Sequence, residues 1–451
     1  MIKRVIAIAG SDSGGGAGIQ ADIKTITLLG AYASSAITAL TAQNTLGVQD
    51  IHPVPPEFVA KQIELILSDI GADAAKTGML HNSAIIEAVV SALQRFSVPN
   101  LVVDPVMVAK TGHPLLEDDA VQALIDRLFP LAAIVTPNAP EAAKILSREV
   151  STIQDAEAAA RAMVDRRLAA AVVVKGGHLA EDATDIFFDG DELLRMTGER
   201  VQTTSTHGTG CTYASAIATF LALGKPLKDA VAEAKAFIGR AIALAEPIGA
   251  GHGPTNHYVA ALENAKRAEL LASLHEALRE LEAAQIGPLI PEVQSNLAAV
   301  LPWSSSLDDV AAFPGRIIQF GKDIRTLACP SFGASSHMGR ALLAAKRHDP
   351  SIRAVMNLRF SKDTLHAAEE LGLKISSFDR SDEPGAIAPK ENSTLDWAVD
   401  WVFRKTGAIP DVIFDRGAPG KEAMIRVFGA TPMDVAHKVL RIKRRLEEQR
   451  R

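Results

Sequence analysis

The stretch Thr206-His-Gly-Thr-Gly-Cys-Thr212 decides the reading of the first half of this chain, together with the run Tyr213-Ala-Ser-Ala-Ile-Ala-Thr-Phe-Leu221 behind it. The second run reads as a helix, which puts Cys211 in the helix's first turn. The backbone N–H groups of Gly208, Thr209, Gly210 and Cys211 then point free. Free N–H groups at the positive end of a helix dipole make an anion site. The glycines let the backbone approach a phosphate closely. The same field is expected to lower the Cys211 thiol pKa and favour the thiolate. A base-like residue beside an anion hole is what phosphoryl transfer to a hydroxyl requires. A buried cysteine after a glycine turn explains the stretch equally well when it is taken alone.

A second glycine-rich run stands near the N-terminus. Val5-Ile-Ala-Ile-Ala9 is a short apolar strand, Gly10-Ser-Asp-Ser-Gly-Gly-Gly-Ala-Gly18 follows, and residues 19–29 have helical spacing. No Gly-Lys-Ser/Thr closes this loop, so it is not a Walker loop. Gln20 and Asp22 in the first helical turn face either a ligand or solvent. Further on, Leu101–Asp104, Ala133–Thr136 and Ala171–Lys175 are unalternating and rich in β-branched residues, as buried parallel strands are. Helical patterns near 57–69, 83–95, 118–128 and 154–168 separate them. The expected fold class is α/β, a parallel sheet covered by helices, with ligands at the carboxyl ends of its strands. Asp104, Asn138 and Lys175 fall at or just past such ends.

Composition bounds the rest. A chain of 451 residues exceeds the roughly 250–300 that one core supports, so two domains are expected. Hydrophobic residues are 47% and charged residues 22%, as in ordinary globular proteins. A formal net charge of −6 supplies no global basic field, so no nucleic-acid partner is expected. Only two cysteines occur, Cys211 and Cys329, which suits a reducing compartment, and the cytoplasm is expected. The apolar run after Met1-Ile-Lys-Arg4 stops at Gly10, too short for a signal-peptide core or a membrane span.

Seven pieces occur in order over residues 1 to about 260: Ala9–Asp22, Thr41-Ala-Gln-Asn-Thr45, Lys76-Thr-Gly-Met79, Val103-Asp-Pro-Val-Met107, Thr136-Pro-Asn-Ala-Pro-Glu141, Val174-Lys-Gly-Gly-His178 and the 206–212 run. This set resembles the hydroxymethylpyrimidine/phosphomethylpyrimidine kinases of thiamine synthesis, a ribokinase-like family. The resemblance implies two successive ATP-dependent phosphorylations, of a hydroxymethyl group and then of the monophosphate. It points to Gly10, Asp22, Gln43, Met79 and Val106 for the pyrimidine, whose donor and acceptor edge a carboxylate and an amide match. Asp104 and Glu141 become hard oxygen ligands near a phosphate-bound Mg2+, through water, with Asn138 orienting that shell. Lys175 neutralises phosphate charge, and Gly208 and Gly210 line the anion hole. His207 contacts phosphate or packs the turn. Cys211 stands where many sugar kinases carry aspartate; it acts as base or only shapes the hole. A homo-oligomer is expected, a dimer before other states.

The kinase-like part closes at Gly251-His-Gly-Pro-Thr-Asn-His257, giving a domain over 1–262. Residues 263–284 form an amphipathic connecting helix with Leu271, Leu274, Leu278 and Leu281 on one face, which packs on the second domain or acts as a spacer. Residues 285–451 read as a second, smaller α/β domain. Strands are expected at 316–320, 352–358 and 411–414, and helices at 337–346, 394–403 and 432–449. Gly333-Ala-Ser-Ser-His-Met-Gly-Arg340 sets Ser335, Ser336, His337 and Arg340 at a helix start, again an anion-binding geometry. Arg316 precedes it, and Asp415-Arg-Gly-Ala-Pro-Gly-Lys-Glu422 adds Arg416 and Lys421. Each piece alone fits a capped helix or a charged turn. Together they suggest a site for phosphate-bearing ligands. The combination resembles the non-TIM-barrel thiamine-phosphate synthase domain found fused to this kinase. That implies coupling of the pyrimidine diphosphate to a thiazole phosphate, with Arg316 as oxyanion clamp and His337 as its catalytic partner. Related domains in regulators bind thiamine phosphates without catalysis, and a pyridoxal-type kinase is a further alternative.

Overall fold

The computed structural model describes residues 2–109, 112–117, 119–179, 183–198, 200–304, 306–382 and 394–449. The chain divides into two compact units, residues 1–262 and 263–451. The first contains, in order, β1 (Arg4–Asp12), α1 (Gly18–Leu28), β2 (Tyr32–Asn44), β3 (Gly47–Pro53), α2 (Pro56–Asp69), β4 (Ala74–Thr77), α3 (Ser83–Phe96), β5 (Leu101–Val103) and α4 (Ala120–Ala123). It continues with β6 (Ile134–Val135), α5 (Ala139–Leu146), α6 (Ile153–Asp165), β7 (Val172–Val174), β8 (Asp185–Phe188), β9 (Leu193–Met196), α7 (Thr209–Ala222) and α8 (Leu227–Ala243).

These strands form a nine-stranded sheet in the order β3-β2-β1-β4-β5-β6-β7-β8-β9. The six from β2 to β7 are parallel, and β3, β8 and β9 add antiparallel edges. The core lies on both faces. Ile6, Ile8 and Val103 point to one, against α2, α3 and α6; Val5, Ala7 and Val102 point to the other, against α7 and α8. Strands covered on both sides have no polar face to show, which is why their sequences do not alternate. Helix α7 is buried on nearly every side from Thr212 to Ala222, and its small residues allow that close packing. The helix expected at 118–128 is regular only over Ala120–Ala123 and widens to a π turn over Leu124–Leu128; Asp118 lies outside the described residues.

The second unit takes in most of α9 (Val259–Ala283), then β10 (Leu297–Val300), β11 (Val310–Ala312), β12 (Ile317–Phe320), β13 (Asp323–Thr326), β14 (Ser331–Phe332) and α10 (Ser336–His348). After these come β15 (Ala354–Arg359), α11 (Lys362–Glu370), β16 (Ile375–Ser377), α12 (Thr394–Thr406), β17 (Val412–Asp415), β18 (Met424–Gly429) and α13 (Pro432–Gln449). A seven-stranded sheet runs β14-β11-β10-β15-β18-β17-β16, almost wholly antiparallel. Leu274, Leu278 and Leu281 of α9 are buried in the core of this unit, which makes that helix part of it rather than a spacer. The strand expected at 316–320 is real but stands outside the main sheet, paired with β13 as a two-stranded hairpin. Five main-sheet strands (β10, β11, β14, β16 and β18) and α11 carried weak sequence signals. Leu297-Ala-Ala-Val300 is alanine-rich and short, and Arg426 interrupts the apolar run of β18. Among the described residues no helix is long and apolar enough to cross a membrane.

Candidate active sites

In the first unit, the carboxyl ends of β1, β4, β5, β6 and β7 converge on the start of α7. Asp104 follows β5 and is almost fully buried. Its Oδ1 accepts from Lys175 Nζ at 2.7 Å and from Thr136 Oγ1 at 3.0 Å. A Cβ on Gly210 would lie 3.2 Å from Asp104 Oδ2 and 3.3 Å from Lys175 Nζ. The first turn of α7 therefore sits directly on this charge pair, with its open N–H groups at the same place. Glu141 is close to both. Burial first, and then the Asp104 charge, lift its carboxyl to about 7 against the pull of Lys175.

Gly208 has a second task besides lining a hole. Its φ is +75°, and a Cβ there would fall 1.8 Å from Gly16 O, so the two glycine loops touch backbone to backbone. Asp12, a residue with no assigned role in the sequence reading, ties them together. Its carboxylate accepts from the N–H groups of Gly14 (2.8 Å), Gly16 (3.0 Å) and Ala17 (2.7 Å). His207 Nε2 lies 2.9 Å from Asp12 Oδ2 and 3.0 Å from Gln43 Nε2. One ring nitrogen serves one of these partners at a time. Burial alone would raise the Asp12 carboxyl, but His207 and the amides hold it below the usual range. His207 thus binds the loops to each other, as the packing alternative has it.

The pyrimidine residues divide into two groups. Gly10 faces Met79, since a Cβ at 10 would meet the Met79 sulfur at 3.0 Å; Gln43 reaches His207, and half-buried Val106 follows Asp104. Asp22 is different. It is fully buried, its two oxygens each accept from Lys76 Nζ at 2.8 Å, and Ser215 donates to Oδ1 at 2.7 Å. Lys76, quoted in the Lys76–Met79 piece, was given no role in the sequence reading. Although burial opposes its charge, Asp22, Cys211 and Asp104 hold it above its ordinary pKa.

Two expectations need correction. The helix field does not lower the Cys211 thiol. Burial pushes it up to about 11; Lys76 and the Gly18 N–H pull the other way, and the Asp22 and Asp104 charges add to the rise. Cys211 is therefore a thiol at neutral pH. Asn138 does not stand free to orient a metal shell: it is the N-cap of α5, with Oδ1 accepting from Glu141 N (2.8 Å) while Glu141 Oε2 accepts from Asn138 N (2.7 Å). Among the described residues no group of three or more His, Cys, Asp or Glu side chains could hold a metal ion. The carboxylates of Asp104 and Glu141 nevertheless suit Mg2+ carried in on a nucleotide, which needs one or two carboxylates besides phosphate oxygens. A cation there would offset the burial and the Asp104 charge that raise the Glu141 carboxyl.

The second unit gathers its charges around Asp415, at the end of β17. Arg380 Nε and Nη2 donate to Asp415 Oδ1 (2.8 Å) and Oδ2 (3.2 Å), and Arg426 Nη1 donates to Oδ2 at 2.9 Å. His337, in the first turn of α10, stands near this group. Its imidazolium is disfavoured first by the protein packed about it and then by Arg426, Arg316 and Arg380, which together bring it down to about 4. The ring is still open to solvent on its outer side. Arg316 adopts a left-handed backbone (φ 67°), and its Nη1 donates to Val293 O. The 415–422 loop meets that same segment, because Glu422 accepts from the N–H groups of Glu292 and Val293. Arg316 is near enough to His337 for its charge to disfavour the imidazolium. Ser335 is the N-cap of α10, accepting from Met338 N, and Ser336 begins the helix. Arg340 pairs with Asp396 at 3.7 Å. Arg416 faces Asp379, and Lys421 closes its loop by backbone bonds to Ala418. Arg380 and Arg426 escaped the sequence reading, and Asp415 was quoted there without a role, because the three meet only in the fold.

Residues 12–256, over half of the chain, match the family model described as phosphomethylpyrimidine kinase. The chain belongs to the phosphomethylpyrimidine kinase family. Residues 273–441 match the model described as thiamine-phosphate synthase ThiN, so a domain of the first family is fused to one of the second. The chain is 50% identical over 262 residues to the hydroxymethylpyrimidine/phosphomethylpyrimidine kinase of Rhizobium meliloti, covering 57% of this chain and 98% of that one. It is 54% identical over 259 residues to the thiamine biosynthesis bifunctional protein ThiED of Geobacter sulfurreducens, covering 57% of this chain; it spans only 52% of that relative. Among solved structures, the ADP complex of Bacillus subtilis pyridoxal kinase is similar with a TM-score of 0.55 and 36% identity, covering 58% of this chain and 100% of that one. Pyridoxal kinase from Staphylococcus aureus with AMP-PCP and pyridoxal gives 0.53 and 36%, covering 57% and 95%.

In this kinase family's frame, the two sequence-quoted glycine runs are one structure. Asp12 and His207 join them, and Asp104 with Lys175 forms the charged floor below α7. An aspartate flanked by serines and glycines (Ser11-Asp-Ser-Gly-Gly) was the available signal for Asp12, since such residues cap loops through their own backbone.

Proposed function

We propose that the chain is a bifunctional enzyme of thiamine biosynthesis. The first unit phosphorylates 4-amino-5-hydroxymethyl-2-methylpyrimidine with ATP, then phosphorylates the monophosphate. The second couples the resulting diphosphate to hydroxyethylthiazole phosphate, releasing pyrophosphate and leaving thiamine phosphate. The observation that carries the first half is the Asp104–Lys175 pair set against the open end of α7, within a family match that spans the unit. Lys175 and the α7 N–H groups would hold the phosphoryl oxygens. Asp104 and Glu141 would hold Mg2+, which when bound supplies charge neutralisation on the nucleotide. The loose transition state of phosphoryl transfer needs positioning and charge more than a strong base, so a protonated Cys211 shapes the hole and the proton of the substrate hydroxyl passes to an oxygen of the transferred phosphoryl group.

In the second half, the C–O bond to the diphosphate breaks as pyrophosphate leaves, and the thiazole nitrogen bonds to the methylene carbon. Electron donation from the aminopyrimidine supports that carbon. Negative charge grows on the leaving group, and Arg316 with His337 would hold it; the three arginines whose charges act on His337 support that role. The second reading is a unit that senses thiamine phosphates without turnover. For the first unit, the likeness to pyridoxal kinases favours testing pyridoxal as a rival substrate.

One assay separates these. The protein is incubated with hydroxymethylpyrimidine, thiazole phosphate and MgATP, and thiamine phosphate is followed. Arg316→Ala and His337→Ala should each lower its formation by about 10²–10³-fold, the loss of one transition-state donor, while the diphosphate accumulates. Full synthesis by both folded variants removes the pair from the mechanism. No synthesis by the wild type supports the sensor. The proposal extends to a cytoplasmic homodimer, checked by light scattering.

A further inference from the structure

The charge group around Asp415 does not balance. Two guanidiniums, of Arg380 and Arg426, share one carboxylate, and all three side chains are withdrawn from water, with exposures of 12%, 2% and 0% for Arg380, Arg426 and Asp415. An excess positive charge in such a place is costly unless something answers it. Arg426 also keeps an unmet donor: its buried Nε has no hydrogen-bond partner among the described residues. A purely structural arginine would be expected to have its donors satisfied.

Its direction follows from the sheet. Along β18 the side chains alternate; Ile425 and Val427 enter the core on the α9 and α13 side, and Phe428 enters the core on the α10 and α12 side. Arg426 shares the face of Phe428 and so lies under the first turn of α10, where His337 stands. The Phe378 ring lies 5.7 Å from the Arg426 guanidinium and 5.9 Å from that of Arg380, limiting how either can turn. Arg316 approaches from the hairpin side. Three arginines and the start of α10 thus lie around this place, and among the described residues the carboxylate of Asp415 is spent in holding two of them.

We propose that Arg380 and Arg426, held by Asp415, form the buried half of a diphosphate-binding subsite in the second unit. Arg380, the less buried of the two, donates to the phosphoryl oxygens; Arg426 supplies fixed charge beneath; Asp415 is a positioning residue. The proposal rests on the reading of this unit as one that handles phosphate esters, but it requires binding only, not turnover.

The test uses full-length protein with pyrophosphate as probe, by titration calorimetry, with AMP-PCP occupying the nucleotide site of the first unit. Arg380→Gln should weaken pyrophosphate binding by about 10- to 100-fold, the range for a charge-assisted pair. Arg380→Lys should recover part of that, because an ammonium keeps the charge but not the fork. Melting temperature and phosphorylation of hydroxymethylpyrimidine should not change in either. Asp415→Asn distinguishes positioning from bulk charge: positioning predicts weaker binding, whereas charge alone predicts tighter binding. Arg426→Met is made only with a melting control, because it removes a buried partner of Asp415; Arg380→Gln decides without it. Wild-type affinity in folded Arg380→Gln, tighter binding in Asp415→Asn, or no pyrophosphate binding to the wild type overturns the proposal. Arg380-dependent binding without thiamine phosphate formation leaves it standing and removes the synthase reading. Thiamine phosphate formation at the wild-type rate by Arg380→Gln does the reverse.

Discussion

Asp12→Ala should undo the junction of the two glycine loops. The carboxylate accepts three backbone N–H bonds and meets His207 at 2.9 Å. The Gly16 bond is buried, so its loss strands a donor at about 1.5–3 kcal/mol, the range for bonds to a charged group. Gly14 and Ala17 are part-buried and water replaces their partner in part, adding roughly 0.5–1 kcal/mol each. Relaxation of the loop offsets some of this, leaving a net loss of about 2–4 kcal/mol. In a unit of this size that lowers the melting temperature by about 4–16 °C. Calorimetry and hydrogen exchange at residues 14–17 measure it, and phosphorylation of hydroxymethylpyrimidine should fall with it. Asp12→Asn should lie between, since the amide keeps one acceptor oxygen and loses the charge. The pH dependence has a definite sign. The folded carboxyl lies below its ordinary value, so its contribution is complete above the unfolded pKa near about 4 and is lost as pH falls through the folded value. Unchanged exchange at 14–17 together with full kinase activity in Asp12→Ala would refute the reasoning.

Three further outcomes follow from the buried charges. Cys211, lifted to about 11, should react with iodoacetamide at pH 7.5 far more slowly than exposed Cys329, and Cys211→Ser should keep most kinase turnover; fast labelling at Cys211, read by peptide mass spectrometry, would restore the thiolate. Lys76→Met should cost about 3–5 kcal/mol by leaving the Asp22 carboxylate buried without its cation, and adding Asp22→Asn should recover much of that in denaturant titrations; a double variant whose loss equals the sum of the Lys76→Met and Asp22→Asn losses would show that the pair is not coupled. His337, at about 4, should be neutral at pH 7 in the free protein and should shift upward when pyrophosphate offsets the surrounding guanidiniums; an imidazole NMR titration that pyrophosphate leaves unmoved would count against their proximity.

The strands of the first unit were legible because both faces are covered. Val102, Val103, Ile134, Val135 and Val172 to Val174 must all be apolar, so burial writes itself into consecutive residues. The glycine runs were legible for a related reason: a chain that must pass within contact distance of another backbone, as Gly208 does at Gly16, accepts no side chain. The helix start at Thr209 and the anion-binding logic of its first turn are local and could be read directly. The second unit was harder. Its sheet is antiparallel and built from strands of two to six residues, and a segment such as Leu297-Ala-Ala-Val300 is too short to declare a period.

Ionisation, pairing and orientation belonged to the tertiary structure alone. Sequence spacing put Cys211 in a helix dipole and predicted a thiolate; the fold enclosed that thiol with Asp22 and Asp104, and desolvation outweighed the dipole. Lys76 lies 54 residues from Asp22, and Arg426 lies 46 from Arg380, so neither pair shares a local pattern that could betray it. Helix and strand periods carry information over one or two turns of chain. The charge on a buried group depends on whatever the fold brings within a few ångströms, and only the assembled sheet and its helices determine that.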